Sequence, residues 1–324
     1  MVDVSIIVVA WNVRQLLYNC LKSVYDQTEG IDFEVIYVDN ASQDDSVEMV
    51  RKEFPEVQII QNAKNEGFIR ANNQAIVIAR GRYVLLLNSD TVVLGNAVAK
   101  TVKFADEHPK AAVVGCRILN PDGTLQRNCF MSHSALNLFL SATYLYKVFP
   151  RSRFFAREEM TWWNFDDARE VEVVNGCFAL VREEAIKQVG LMDETYFVYG
   201  DDQDWCYRFR KAGWKAMFTP DPQIVHYRGQ TTKQKVGDFK LQLYGSQLIF
   251  MKLHGNGLAF LLARLLTALF LFLRVPYWLG AGLYQKKRRK TSLQTAKAYS
   301  LGTLYCLTDW KRLLMNKEAV AERL

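Results

Sequence analysis

A chain of 324 residues, half of them hydrophobic and 13% aromatic, can bury a large core, in one big domain or two ordinary ones. Its formal net charge of +7 sits at one end: residues 285–324 carry ten Lys/Arg against three Asp/Glu, so the first 284 balance to zero. A body without net charge argues against a nucleic-acid partner. Six cysteines with no CxxC pair or finger-like spacing argue against a metal ribbon or disulfide framework and fit a reducing cytosol.

The N-terminal MVDVSIIVVAW has no basic leader and carries Asp3, so it reads as a first buried strand over residues 4–9 and not as a signal peptide. Residues 14–27 follow with Leu16, Leu17, Cys20, Leu21 and Val24 at helical spacing. EVIYVDN is a second strand ending in Asp39, and DDSVEMVRKEF is a helix with acids in its first turn. VQII is a short third strand, RANNQAIVIA a helix, and residues 83–87 an uninterrupted apolar fourth strand. A helix at about 95–107 and the strand AAVVGCRI complete an alternation that predicts a doubly wound, mostly parallel α/β sheet.

Residues 125–170 break this rhythm with NLFLSATYLYKVF and MTWWNFDD, an irregular aromatic insertion of the kind used as a lid or binding loop. Then VEVVNGCFALV returns to strand, REEAIKQVG is a helix closed by Gly190, and YFVYGDDQDWCYRFRKAG is a turn and a helix. WKAMFTP and QIVHY read as two further strands. The domain expected from these elements spans 1–255, with 256–324 as a basic, apolar helical tail.

In that tail, LAFLLARLLTALFLFL is interrupted by Arg274 and Pro276 short of a clean span of roughly 20 residues. Tyr277, Trp278 and Tyr284 suit the headgroup level, and the block 286–290 suits anionic lipid. Amphipathic helices lying in the membrane interface are the favoured reading. A spanning hairpin and a buried dimerisation helix, hence a homodimer, remain as alternatives.

Two carboxylates stand at strand tips, Asp39 after the second strand and Asp90 after the fourth. Open α/β sheets bind ligands at that edge. No GxGxxG or GxxxxGK[ST] supplies a backbone cradle for a pyrophosphate, so a hard divalent cation held by oxygen would have to. The competing reading is that Ser89 and Asp90 cap a following helix. In GDDQDW, three acids exceed what a helix start needs, although Asp204 can pair with Arg208 one turn on. Crowded acids raise one another's pKa, which suits a proton acceptor. His226 is either a satisfied core histidine or a group reaching a metal or phosphate.

The ordered set SIIVVAWN, VDNASQDDS, NEGFIRANNQA, LLLNSDT, VNGCFALVREEA, GLMDETYFVYGDDQDWCYR and IVHYRG resembles the inverting family 2 glycosyltransferases of GT-A fold. Within them it is most similar to the bacterial rhamnosyltransferases of surface polysaccharide synthesis. The resemblance covers about residues 3–255. It implies that Asp39 bonds the base, with Ala10 and Asn12 at the nucleoside, and that Asn65, Gly67, Phe68 and Asn72 pack over nucleotide and donor. Asn88, Ser89 and Asp90 match the metal-binding DxD signature, with Asn in its first place, so that Asp90 and His226 would hold Mg²⁺ or Mn²⁺. Asp202 matches the catalytic base, with Asp201 as the competing assignment. Asn175, Gly176 and Cys177 would floor the donor and acceptor pocket, with Trp162 and Trp163 as acceptor contacts or an aromatic core patch. The implied activity is transfer of L-rhamnose from dTDP-rhamnose to a polyprenyl-diphosphate-linked saccharide, by a peripheral protein on the cytoplasmic side of the inner membrane. A UDP-hexose or UDP-N-acetylhexosamine donor and a non-catalytic nucleotide-sugar-binding subunit are the alternatives.

Overall fold

The structure, a computed structural model, describes residues 2–196, 199–228, 236–284 and 289–314. Lys286, Lys287 and Arg288 of the basic block, and Gly229 of IVHYRG, lie outside them. The described chain divides into two compact units, the first from residues 2–131, 163–196 and 201–228, the second from the rest.

In the first unit, strands β1 (Val4–Ala10), β2 (Phe33–Asp39), β3 (Gln58–Gln61) and β4 (Tyr83–Asn88) form the parallel half of a sheet ordered β3-β2-β1-β4. Helices α1 (Arg14–Gln27), α2 (Ser46–Glu53) and α3 (Phe68–Ile78) are the crossovers. Ile6, Ile7, Val8, Leu85 and Leu86 are almost wholly buried, because both faces of the sheet are covered. That coverage explains why these strands are unbroken apolar runs. The strand order reverses at β1, and the register sets Ala10 beside Asp39 and Val9 beside Asn88. The polar ends of β1, β2 and β4 therefore share one edge, where open α/β sheets bind ligands.

Strand β5 (Thr91–Leu94) follows β4 directly, then α4 (Ala97–Glu107) and β6 (Ala111–Leu119). Ser89 and Asp90 thus sit in a turn between two strands; the expectation that they cap a helix does not hold. Beyond the short pieces β7 (Leu125–Gln126) and β8 (Cys129–Phe130) comes an eight-residue helix, α5 (Ala135–Ala142), where the sequence predicts irregular chain. Ser134 caps it by accepting from the Asn137 N–H. A single turn, α6 (Leu145–Val148), follows, then β9 (Arg169–Val171), β10 (Val173–Val174), β11 (Phe178–Arg182), α7 (Glu183–Val189) and α8 (Asp201–Lys211).

β11 lies antiparallel between β4 and β6, so the Asn175-Gly176-Cys177 turn that precedes it arrives at the tip of β4. The two last predicted strands are one, β12 (Lys215–His226), which pairs with β6 on one side and with β5 and β9 on the other. Its register with β6 slips between Thr219 and Gln223. Pro220 and Pro222 lie in that step and lack the N–H the ladder would need, so the strand bends there without ending.

The second unit holds α5, α6, α9 (Val236–His254), α10 (Gly257–Tyr284), α11 (Arg289–Leu307) and a terminal turn. α10 is continuous for 28 residues, through Arg274 and Pro276, where the sequence reading expects an interruption. A proline inside a helix removes one ladder bond and adds one clash, which surrounding packing can offset. Arg274 is buried and donates to the Phe270 and Ser141 carbonyls, with its guanidinium 3.9 Å from the centre of the Tyr144 ring. α10 packs on α11 at close range: a Cβ at Gly302 would stand 2.9 Å from a Leu271 methyl. Among the described residues α10 is the one helix long and apolar enough to cross a bilayer.

Candidate active site

The loops at the strand tips are stapled by amides. Asn40 donates to the Gly67 carbonyl at 3.1 Å and accepts from the Glu66 N–H and the Asn62 side chain, holding the 62–67 loop over β1 and β2. Asn65 accepts from the Gly67 N–H at 2.9 Å, which shapes the entry to α3 at Phe68. Asn12, at φ 53, accepts from the Gln43 N–H and donates its own N–H to the Ser42 hydroxyl. Asp39 is fully buried beside Ala10, its oxygens accepting from the Tyr37 hydroxyl at 2.7 Å and the Ser42 N–H at 3.1 Å. Asn72 is buried too and donates one turn back to the Phe68 carbonyl.

Next to these loops the fold brings two distant residues together. β12 runs beside β5 with His226 opposite Thr91, and the Tyr227 N–H donates to the Asp90 carbonyl. His226 Nε2 lies 3.1 Å from Asp90 Oδ1 and 3.4 Å from Asn88 Nδ2. Its Nδ1 lies 2.6 Å from Gln126 Oε1 on β7. Burial opposes a charge on His226, but hydrogen bonds to Asp90 and to Cys177 outweigh it and push the imidazole up to about 10. Among the described residues no three His, Cys, Asp or Glu side chains converge on one point. One carboxylate and one imidazole nitrogen within hydrogen-bond distance of each other are nonetheless a donor pair suited to a divalent ion such as Mn²⁺, with the remaining ligands left to a diphosphate.

The three acids at the start of α8 divide into separate roles. Asp204 is buried and accepts from Arg208 at 2.6 Å, and Arg208 also donates to the Val189 and Leu191 carbonyls, so this pair anchors the helix. Asp201 is buried, and burial together with the neighbouring Asp202 charge holds its carboxyl well above the usual carboxylate range. Asp202 is half-buried; it accepts from Asn175 Nδ2 at 3.2 Å and from the Gln203 N–H at 2.8 Å. Gly176 stands between: a Cβ there would lie 3.9 Å from Asp201 Oδ2 and 4.0 Å from the Phe68 ring. Its chain neighbour Asn175 links it to Asp202.

Residues 5–190 match the family described as "Glycosyl transferase family 2". The chain is a family 2 glycosyltransferase. It is 25% identical over 273 residues to the N-acetylglucosaminyl-diphospho-decaprenol L-rhamnosyltransferase of Mycobacterium tuberculosis, covering 80% of this chain and 87% of that one. Over 117 residues it is 32% identical to the poly(ribitol-phosphate) beta-glucosyltransferase of Bacillus spizizenii, covering 35% and 18% of the two. Among solved structures, a mannosyltransferase from Pyrobaculum calidifontis in complex with GDP-Man and Mn²⁺ superposes with TM-score 0.56 at 19% identity, over 94% of this chain and 87% of that one. Staphylococcus aureus TarS gives 0.53 at 15% identity over 98% and 50%. These likenesses establish the GT-A fold.

In this glycosyltransferase, sequence reasoning misses Gln126, Asn40 and Asn128, which hold His226, the 62–67 loop and, through the Asn128 carbonyl, the Asn175 N–H. Gln126 and Asn128 lie outside any recognisable motif, Asn40 sits in VDNASQDDS without a role read for it, and each has a partner distant in sequence. Trp163 is 3% exposed, stacked on Phe165 at 4.0 Å and hydrogen-bonded to Asp167, the aromatic-core arrangement. Trp162 belongs to the second unit, with the Arg153 guanidinium over its ring.

The transferase has a pH signature at Asp201. With its folded pKa raised, the native state keeps a proton that the unfolded chain gives up above about pH 4. Stability attributable to this group is therefore full below about pH 4 and declines as pH climbs to the raised value. Asp201→Asn is expected to be more stable than its parent at pH 8 and no more stable at pH 4. Urea midpoints at the two pH values check this.

Proposed function

We propose that this transferase moves L-rhamnose from dTDP-rhamnose onto an N-acetylglucosamine carried on a polyprenyl diphosphate, at the cytoplasmic face of the membrane. The observation that carries the reading is the extent of the similarity to the mycobacterial rhamnosyltransferase. It covers 80% of this chain, more than the 5–190 stretch common to the family, and so takes in acceptor-side sequence as well.

The chemistry follows from the arrangement. Asn12 and the loop 62–68 hold the nucleotide over the tips of β1 and β2. Asp39 staples the turn that follows it, and with one hydrogen bond on each oxygen its carboxylate keeps acceptor capacity for the base. Asp90 and His226 are the residues that hold the divalent ion. When bound, that ion neutralises the charge that builds on the departing diphosphate. The acceptor hydroxyl enters beside Gly176, and Asp202 takes its proton as the oxygen bonds to the anomeric carbon. The carbon–oxygen bond to the diphosphate breaks on the opposite side, and the configuration inverts. Asn175, donating to Asp202, keeps that carboxylate aimed.

A dTDP donor is distinguished from a UDP-hexose, which the 32% identity to a glucosyltransferase favours over a shorter stretch, by measuring nucleoside diphosphate release from a panel of nucleotide sugars with and without Mg²⁺ or Mn²⁺. Metal-dependent release from dTDP-rhamnose supports the proposal; release from a UDP-sugar alone replaces the donor. No release from any donor, acceptor lipid included, points to a binding subunit.

The membrane part of the proposal rests on α10. Leu258, Leu261, Leu262, Leu265, Leu269 and Phe272 recur at helical spacing and are 39–66% exposed, a continuous apolar stripe. Replacing Leu265, Leu269 and Phe272 together by Glu is expected to move the protein from the pellet to the supernatant when sedimented with anionic vesicles. Unchanged pelleting would remove the stripe as the anchor.

A further inference from the structure

The β6–β7 hairpin carries a set of polar side chains that the chemistry above does not use, and they run in one line to His226. Gln126, 6% exposed, places Oε1 2.6 Å from His226 Nδ1. Its Nε2 lies 2.8 Å from Asn120 Oδ1 and 3.2 Å from the His226 backbone carbonyl. A carbonyl only accepts, so that atom is the amino nitrogen and the oxygen must face the ring. Asn120 is fixed by the same logic, its Nδ2 3.5 Å from the Leu125 carbonyl and 2.9 Å from the Thr124 hydroxyl oxygen. Thr124 in turn donates to Asp122 Oδ1 at 2.6 Å, because a carboxylate cannot donate. Four hydrogen bonds therefore all point outward, from His226 through Gln126, Asn120 and Thr124 to the exposed Asp122.

We propose that Gln126, held by Asn120, is a positioning residue that fixes His226 with its proton on Nδ1 and so keeps Nε2 as the atom facing Asp90 and the bound metal. The other tautomer would set a lone pair of Nδ1 against the lone pairs of Gln126 Oε1 in a site with no room for water to intervene. The hairpin is built for this placement. Gln126 pairs in register with Ile118 on β6, and the turn closes at Gly123, whose φ of +79 suits glycine. Residues behind a ligating histidine commonly set its ring nitrogen and its basicity, and their loss weakens metal binding about ten- to a hundredfold.

The inference rests on His226 being a metal ligand, and the test separates the two. The full chain is titrated with Mn²⁺ in the presence of dTDP, and pulsed electron paramagnetic resonance reads ¹⁴N coupling to the ion. The parent protein should show imidazole ¹⁴N coupling, and His226→Ala should lack it. Gln126→Leu should lose the coupling or raise the Mn²⁺ Kd at least tenfold, with kcat at saturating metal less affected than the metal KM. Gln126→Leu with coupling and affinity intact would overturn the role of Gln126 while leaving His226 a ligand. No ¹⁴N coupling in the parent would overturn both. If Gln126→Leu does not fold, Asn120→Ala on the hairpin takes its place, with the same direction expected and an unchanged Mn²⁺ affinity contradicting the inference.

Discussion

On the proposed assignment, Asp202→Asn should lower kcat for sugar transfer by about 10²–10⁴-fold, the range lost when a positioned general base is removed, while the donor KM should stay near that of the parent. The amide keeps the shape and can still meet Asn175, so the loss reports the missing proton acceptor and not a collapsed loop. The neighbouring acids supply the controls. Asp204 is committed to Arg208, and its replacement should register as lost stability, since the partner guanidinium is left with one fewer acceptor. A raised pKa on its own suits a base, so access and orientation separate the two: Asp201 is buried, whereas Asp202 is half-buried and accepts from Asn175. If steady-state kinetics showed Asp201→Asn losing more turnover than Asp202→Asn, the two assignments would have to be exchanged.

Asp90→Ala should give the second large effect. It removes the single carboxylate at the tip of β4, since the first position of the signature is Asn88. Mg²⁺- or Mn²⁺-dependent turnover should fall by about a thousandfold, a loss of the several kcal/mol that a metal contributes to a departing anion. Activity recovered at very high metal would locate the defect in binding. The sparse donor set has a corollary: Mn²⁺ should bind the parent weakly alone and far more tightly once a nucleoside diphosphate is present. Equilibrium binding with and without dTDP reads this out, and equal affinities in the two conditions would contradict a site completed by the diphosphate.

The parts of this enzyme legible in its sequence are those fixed by local physics. Continuous apolar runs betray β1 and β4, because strands covered on both faces need no polar alternation. Their polar tips mark the crevice, and the i,i+4 spacing of Asp204 and Arg208 foretells an ion pair that the structure contains. What depends on distant pairing was not legible. The turn after β4 leads into a strand because β12, more than a hundred residues later, supplies its partner. Pro220 and Pro222 signal a break, yet β6 carries the ladder past them. The aromatic segment 132–162 joins the C-terminal helices in one unit, a grouping that chain order conceals. Gln126 sits in a two-residue strand with no motif, and only its meeting with His226, a hundred residues on, gives it meaning.

The measurement that tests the central claim most directly is nuclear magnetic resonance of the sugar product formed from dTDP-rhamnose and N-acetylglucosaminyl-diphospho-polyprenol with Mg²⁺ present. The account predicts a rhamnosyl-N-acetylglucosamine whose new bond has the anomeric configuration opposite to that of the donor, formed by the parent protein and not by Asp202→Asn. Retained configuration, or an acceptor lipid left unmodified while a different donor is consumed, would contradict it.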